Sequence, residues 1–232
     1  CSCYAASMEA KLYIVGTPIG NMEDITLRAL RVLKEADVVL AEDTRVAKKL
    51  LAHFDITTPT LSYNEHSGEH KYEKIFALLA EGQILALVSD AGMPAISDPG
   101  AQLVAAVREQ YGDAAVEVVP GPSAVTTALA RSGVRGDAFT FFGFPPHKKG
   151  RKTFFERVAA TEGVVVFYES PHRAIKALES LVNVLAEGQQ VYACRELTKM
   201  YERVVSGTAA EVLEHFTTHP EEVRGEWVVV VA

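Results

Sequence analysis

The sequence predicts an α/β fold of two domains. The N-terminal domain has a mainly parallel sheet with helices on both faces, and the C-terminal domain has a mixed sheet. Three observations predict this. Apolar runs of strand length alternate with amphipathic stretches from Leu12 to Val119, and the runs are continuous rather than alternating, as in strands buried on both faces. Unusual loops follow four of these runs, three of them rich in Gly and Pro, at the sheet edge where open α/β sheets bind ligands. After Pro120-Gly121-Pro122 the pattern changes, and two runs, 191–195 and 203–206, are joined by a link too short for a helix, so that pair is antiparallel.

Leu12 to Gly16 is the first strand and ends in the turn Gly16-Thr17-Pro18-Ile19-Gly20-Asn21. Thr26 then caps a helix running to Ala36, with Leu27, Leu30, Leu33 and Lys34 at helical spacing. Val38 to Ala41 is a strand, and Thr44 to Phe54 a helix with Val46, Ala47, Leu50 and Leu51 inward. A strand at 60–63, a helix around 72–79 and a strand at 84–88 continue the alternation, followed by a helix at 101–111 and a strand at 116–119. The second half opens with a helix, Ser123 to Arg131, and continues with strands at 139–144, 164–168, 191–195, 203–206 and 227–231. The domains are expected at 11–120 and 121–232, with residues 1–10 a flexible arm or a remnant of expression.

A chain of 232 residues with 48% hydrophobic and 23% charged residues has globular composition and buries a core that needs neither disulfide nor metal. Two of the three cysteines, Cys1 and Cys3, sit in the arm and only Cys194 lies beyond it. A disulfide framework is excluded and a cytoplasmic address expected. No apolar run approaches the roughly 18 residues of a membrane helix, and the first residues lack the basic and apolar regions of a signal peptide. The net charge of −7 argues against non-specific nucleic-acid binding. However, residues 131–180 hold nine Lys or Arg against five Asp or Glu, so this band carries +4 and the remainder −11. Such a band can hold a phosphate backbone locally.

The four loops are GTPIGN (16–21), Ala41-Glu42-Asp43-Thr44-Arg45, the stretch Ser89 to Gly100 (SDAGMPAISDPG), and Pro120-Gly121-Pro122-Ser123-Ala124-Val125. None is a nucleotide fingerprint. GTPIGN lacks the Lys-Ser/Thr of a Walker loop, no G-x-G-x-x-G is present, and GPSAV lacks the last glycine of a nucleophile elbow. His66 and His70 are four apart, but Gly68 lies between them in polar sequence, so no metal is expected. In Glu169-Ser170-Pro171-His172-Arg173 the proline reads as the first turn of a helix. The functional reading has Tyr168, Glu169 and Arg173 lining a cleft facing the first domain. His147-Lys148-Lys149-Gly150-Arg151-Lys152 is either a solvated loop or a polyanion contact, Arg195 to Lys199 adds two cations, and Phe144 is available to stack on a base.

Seven stretches in order (YIVGTPIGNMEDIT, AEDTR, SDAGMPAISDPG, VPGPSAV, FFGFPP, FYESPHR and RELTK) resemble the tetrapyrrole methylase superfamily, from Lys11 to Val231. Within it they are similar to the branch that methylates ribosomal RNA. SDAGMPAISDPG separates that branch from the porphyrin-methylating one, which has Gly-Gly-Asp-Pro there. The resemblance implies S-adenosyl-L-methionine as cofactor, held in a cleft between two domains, and a homodimer. It carries cofactor contacts over to Pro18, to Asp90, Gly92, Met93 and Ile96, to Ser123 and Ala124, and to Tyr168. The implied activity is 2′-O-methylation of a cytidine ribose in 16S ribosomal RNA on the assembled small subunit. Members of that branch usually continue into a small helical domain, whereas this sequence ends at Ala232.

A ribose 2′-hydroxyl is a poor nucleophile, so a carboxylate or cation near it is expected to orient or deprotonate it. The candidates are Glu169, Arg173 and Asp43 as catalytic residues, with Glu42, Arg45, Asn21 and Asp24 beside them. Phosphate contacts are expected from Arg45, Lys148, Lys149, Arg151 and Lys199. The alternatives are a tetrapyrrole C-methyltransferase, which needs a large apolar cleft rather than a basic band, and an inert adenosylmethionine- or ribosome-binding module.

Overall fold

The computed structural model of the chain describes residues 10–64 and 69–232. Residues 1–9 of the expected arm, with Cys1 and Cys3, and the His66–His70 pair through His66, lie outside the described residues. The described residues fall into two compact units that divide between Ser123 and Ala124.

The first unit is a five-stranded, wholly parallel sheet, as expected. Its strands are β1 (Lys11–Val15), β2 (Val38–Ala41), β3 (Thr60–Ser62), β4 (Ile84–Val88) and β5 (Val116–Val119), in the order β3-β2-β4-β1-β5. Because successive side chains point to opposite faces, one run feeds two cores. Val39, Ala41, Ala86 and Val88 pack with α1 (Leu27–Glu35) and α2 (Thr44–His53). Leu12, Ile14, Leu40, Leu85 and Leu87 pack with α3 (Glu69–Ala80) and α4 (Ala101–Tyr111). Thr26 caps α1 as expected, its Oγ1 accepting from the Ala29 N–H at 3.0 Å. The inward reading of α1 and α2 needs two corrections: Leu27 is 86% exposed at the first position of α1, and Val46 faces solvent on α2.

The second unit begins with α5 (Ala124–Ser132) and holds the mixed sheet β6-β7-β10-β8-β9. Its strands are β6 (Phe139–Phe141), β7 (Val164–Glu169), β8 (Gln190–Arg195), β9 (Arg203–Thr208) and β10 (Trp227–Val231). β6 and β7 run parallel; every other pair is antiparallel, including the expected β8–β9 pair. β6 stops three residues earlier than the sequence predicts, because the chain turns at Gly143 with φ +64. One face is buried under α6 (Arg151–Ala160), α7 (Pro171–Val184) and α8 (Ala209–Thr218), around Phe155, Phe167, Leu181, Phe216 and Trp227. α5 lies against β10 and β8. Among the described residues no helix is long and apolar enough to cross a membrane.

Candidate functional site

The carboxyl ends of β1, β4 and β5 are adjacent in the sheet, so their loops meet. The Gly16 N–H donates to Val119 O at 3.0 Å, joining the exits of β1 and β5. Thr17 and Gly92 exchange two backbone hydrogen bonds, at 2.9 and 3.1 Å, joining the exits of β1 and β4. The Thr17 side chain is buried beneath this bridge, its hydroxyl donating to Ser89 O at 3.3 Å.

Here backbone packs on backbone. A β-carbon on Gly16 would come within 2.6 Å of Met93 Sδ and 2.7 Å of Gly121 Cα. One on Gly121 would meet Gly16 backbone atoms at 2.9 Å. Gly92, with φ +76, faces Ile19 and the carbonyl of Pro122. The loop from Ser89 to Gly100 then turns through two left-handed residues that are not glycine, Ala95 (φ +67) and Ser97 (φ +59), and is tied by the Ala95 N–H donating to Pro99 O. Such conformations cost about 1–3 kcal/mol each and persist where the surroundings fix them, often at ligand sites.

The loop after β2 joins the same edge. The Asp43 N–H donates to Asp90 Oδ1 at 3.3 Å. Asp43 caps α2 by accepting from the Arg45 N–H and holds the Arg45 guanidinium through both carboxylate oxygens, at 2.6–3.2 Å. That side-chain hydrogen bonding lowers the Asp43 pKa to about 2. A carboxylate this acidic is a weak proton acceptor at neutral pH. Its stabilising effect has a definite pH window. The folded value lies below the unfolded one, about 3.9, so the contribution is complete above that value and disappears as the pH falls to about 2. Comparing wild type with Asp43→Asn, the gap in melting temperature is expected to be constant above pH 5 and to close below pH 4. A gap independent of pH down to 2.5 would refute this.

The second unit carries its own charged cluster. Glu169 ends β7 with its side chain wholly buried. Its Oε2 meets Arg151 Nη2 at 2.9 Å, its Oε1 meets Arg173 Nη2 at 2.8 Å, and Oε1 also accepts from the Ser170 N–H. Arg173 donates onward from Nη1 to Pro145 O at 3.0 Å. Arg151 lies over the Phe155 ring. Two guanidinium groups thus face one carboxylate. Beside them His147, Lys148 and Lys149 are exposed. Lys199 is placed otherwise: it bridges Glu196 at 2.8 Å and Glu226 at 2.9 Å, closing the β8–β9 turn. Cys194 is buried, and desolvation pushes its thiol up to about 12, which leaves it no nucleophilic role at neutral pH.

The family of Tetrapyrrole (Corrin/Porphyrin) Methylases matches residues 11–213. The chain belongs to this family. Relatives of this tetrapyrrole methylase include a "Ribosomal RNA small subunit methyltransferase I" of Halalkalibacterium halodurans, 47% identical over 95% of this chain and 75% of the relative. Proteins of the same name from Thermotoga maritima (43% identical, 96% of this chain and 98% of the relative) and Escherichia coli O157:H7 (43%, 98% and 79%) also match. The fold is shared with a cobalt precorrin-4 methyltransferase of cobalamin biosynthesis (TM-score 0.69, 22% identity, covering 100% of this chain and 98% of the other). It is also shared with a uroporphyrin-III-C-methyltransferase from Thermus thermophilus (TM-score 0.67, 22%, 96% and 94%).

In this tetrapyrrole methylase the structure gathers Pro18, Asp90, Gly92 and Met93 at one sheet edge, next to Asp43, while Ile96 is half exposed on the same loop. Ser123 and Ala124 continue from Pro122 into the start of α5. Tyr168 is placed in the second unit, packed edge-on against Phe141 at 4.9 Å and near the exposed Phe144 at 5.2 Å. Two catalytic candidates stand in the ionic cluster of the second unit: the Glu169 side chain is buried with its oxygens held by Arg151, Arg173 and the Ser170 N–H. Arg173 is held by the same carboxylate and by Pro145 O. Lys199, expected at phosphate, is paired with two carboxylates. Thr17 and Ser89 join the exits of β1 and β4 at this edge. Both lie within quoted stretches, GTPIGN and SDAGMPAISDPG, although neither is among the expected contacts.

Proposed function

We propose that this chain transfers a methyl group from S-adenosyl-L-methionine to the RNA of the small ribosomal subunit, at the 2′-hydroxyl of a cytidine. The observation that carries the reading is the run of relatives at 41–47% identity, each matching 95% or more of this chain, that share one printed name, "Ribosomal RNA small subunit methyltransferase I". A homodimer in the cytoplasm belongs to the same reading.

The sheet edge suits the cofactor. The glycines at 16 and 121 let the exits of β1 and β5 pack backbone against backbone, and the left-handed turns at 95 and 97 shape the loop beside them. Met93 and Ile96 offer apolar surface for a purine, with the buried Pro18 at the same sheet edge, and the exposed Asp90 carboxylate an acceptor for a hydroxyl or ammonium group. Ser123, Ala124 and Tyr168 complete the proposed contacts. When bound, the cofactor supplies an activated methyl group for an in-line displacement. The residues of the chain orient the partners and exclude water. RNA phosphates fall to Lys148, Lys149 and Arg151, with Arg45, which is 85% exposed, as a further contact.

The test is transfer of labelled methyl to small subunits lacking 2′-O-methylation, beside free 16S RNA and a porphyrinogen. Label at an alkali-resistant 2′-O-methylcytidine supports the reading, and a preference for the subunit makes its shape part of recognition. Label in the porphyrinogen alone, or in no acceptor while the cofactor product still binds, overturns it.

A further inference from the structure

We infer that Glu169 is a positioning residue for RNA binding: through Arg151 and Arg173 it fixes the basic loop 145–151 in the conformation that meets phosphate. The inference rests on the RNA reading above. One buried carboxylate holds both ends of that loop. Arg151, at the far end, is the first residue of α6 and reaches Oε2 at 2.9 Å. Arg173 reaches Oε1 at 2.8 Å and hands a second bond to Pro145 O, at the near end, at 3.0 Å. Between these fixed points stand His147, Lys148 and Lys149, all exposed.

Two further observations point outward from this clamp to an anion. The cluster is not charge-balanced, since two guanidinium groups share one carboxylate. In addition, Arg151 Nη1 is buried and has no hydrogen-bond partner among the described residues. A buried N–H that the fold leaves unpaired is unfavourable, and a phosphate oxygen at the loop supplies the acceptor it lacks. The start of α6 is closed by backbone, the Arg151 N–H donating to Lys148 O at 3.3 Å, and Gly150 precedes it in a left-handed turn (φ +88) without a side-chain cap. Glycine there also lets the loop reverse direction next to Lys148 and Lys149.

The experiment measures affinity for the small subunit across a salt series, KM and kcat for methyl transfer, and affinity for S-adenosylmethionine. It uses wild type, Arg173→Lys, Glu169→Gln and the pair Lys148→Ala/Lys149→Ala. Arg173→Lys keeps the charge and is expected to fold, but it replaces the planar fork, whose separate Nη2 and Nη1 reach Glu169 and Pro145 O, with a single nitrogen. It is expected to raise KM for the subunit about fivefold to tenfold with kcat and cofactor affinity within twofold. Glu169→Gln, assayed below its melting temperature, is expected to do the same more strongly. The plot of log affinity against log salt is expected to flatten by about one unit for each phosphate that is no longer neutralised, in these variants as in the lysine pair.

A merely structural role for Glu169 predicts instead that kcat per total enzyme falls while KM and slope in the folded fraction stay at wild type, and that result overturns the inference. If Glu169→Gln does not fold, Arg173→Lys decides alone. If the lysine pair flattens the slope and Arg173→Lys does not, the positioning inference fails while the RNA reading stands. If even the lysine pair leaves the slope unchanged, the RNA reading of the loop itself fails.

Discussion

Replacing Glu169 with alanine is expected to lower the melting temperature by roughly 10 °C. The substitution leaves the Arg151 and Arg173 guanidinium groups, whose side chains are only 16% and 17% exposed, facing each other without a counter-charge. Removing one partner of a buried pair costs about 3–5 kcal/mol, because the remaining charge stays desolvated. For a chain of this size each kcal/mol moves the melting temperature by about 2–4 °C. The Ser170 N–H loses its acceptor in the same step. Ionic clusters of this kind are often no more stable than an apolar replacement of similar volume. The combined variant Arg151→Met/Glu169→Leu/Arg173→Met is therefore expected to regain most of the lost stability without regaining affinity for RNA. Calorimetry on the wild type and the two variants checks both steps. A single variant that melts within 2 °C of wild type would mean that the arginines find solvent or another acceptor when Glu169 is gone. A combined variant as unstable as the single one would mean that packing, not charge, fixes the cluster.

That cluster also marks where sequence reading stops. The residue types of FYESPHR and HKKGR are visible in the sequence, and they point to charge chemistry. Nothing in the spacing of Arg151 and Glu169, eighteen residues apart, shows that a strand end and a helix start will place them 2.9 Å from each other. Nor does sequence report exposure. Glu169 and Asp43 are equally plausible proton acceptors as letters, yet one is sealed in the fold and the other is held by Arg45. The parallel sheet is legible for a different reason. Burial on both faces requires apolar residues at every position of a strand, and Val38–Ala41 and Ile84–Val88 carry that requirement in four or five consecutive letters. The inward face of a helix is legible only where something lies beneath it. Leu27 has the right spacing, yet it stands at the first position of α1 and is exposed. That the loops share one sheet edge follows from the parallel order. That Gly16 and Gly121, far apart in sequence, touch each other does not.

Their contact carries the other large expected effect. Gly121→Ala places a β-carbon 2.9 Å from the Gly16 backbone, and Gly16→Ala places one 2.7 Å from Gly121 and 2.6 Å from Met93 Sδ. Met93 can swing aside at little cost; backbone cannot. To relieve the clash the exits of β1 and β5 must separate, which strains the Gly16 N–H to Val119 O bond and displaces Pro18 and Ser123 from the edge they share. Overpacking of this kind costs about 1–3 kcal/mol. A fall in melting temperature of several degrees is expected for either alanine variant. Because the strained segment is the proposed cofactor cradle, affinity for S-adenosylmethionine is expected to fall further than stability does, by at least a hundredfold by calorimetric titration. Gly112→Ala is the control for glycine as such. Gly112 also has positive φ, but a β-carbon there meets nothing within 4 Å, so it is expected to lose some stability and no cofactor affinity. Equal losses of affinity at positions 112 and 121 would remove the close approach of the two loops as the cause and leave only backbone strain. A Gly121→Ala variant that binds the cofactor as wild type does would remove these loops from the cofactor site.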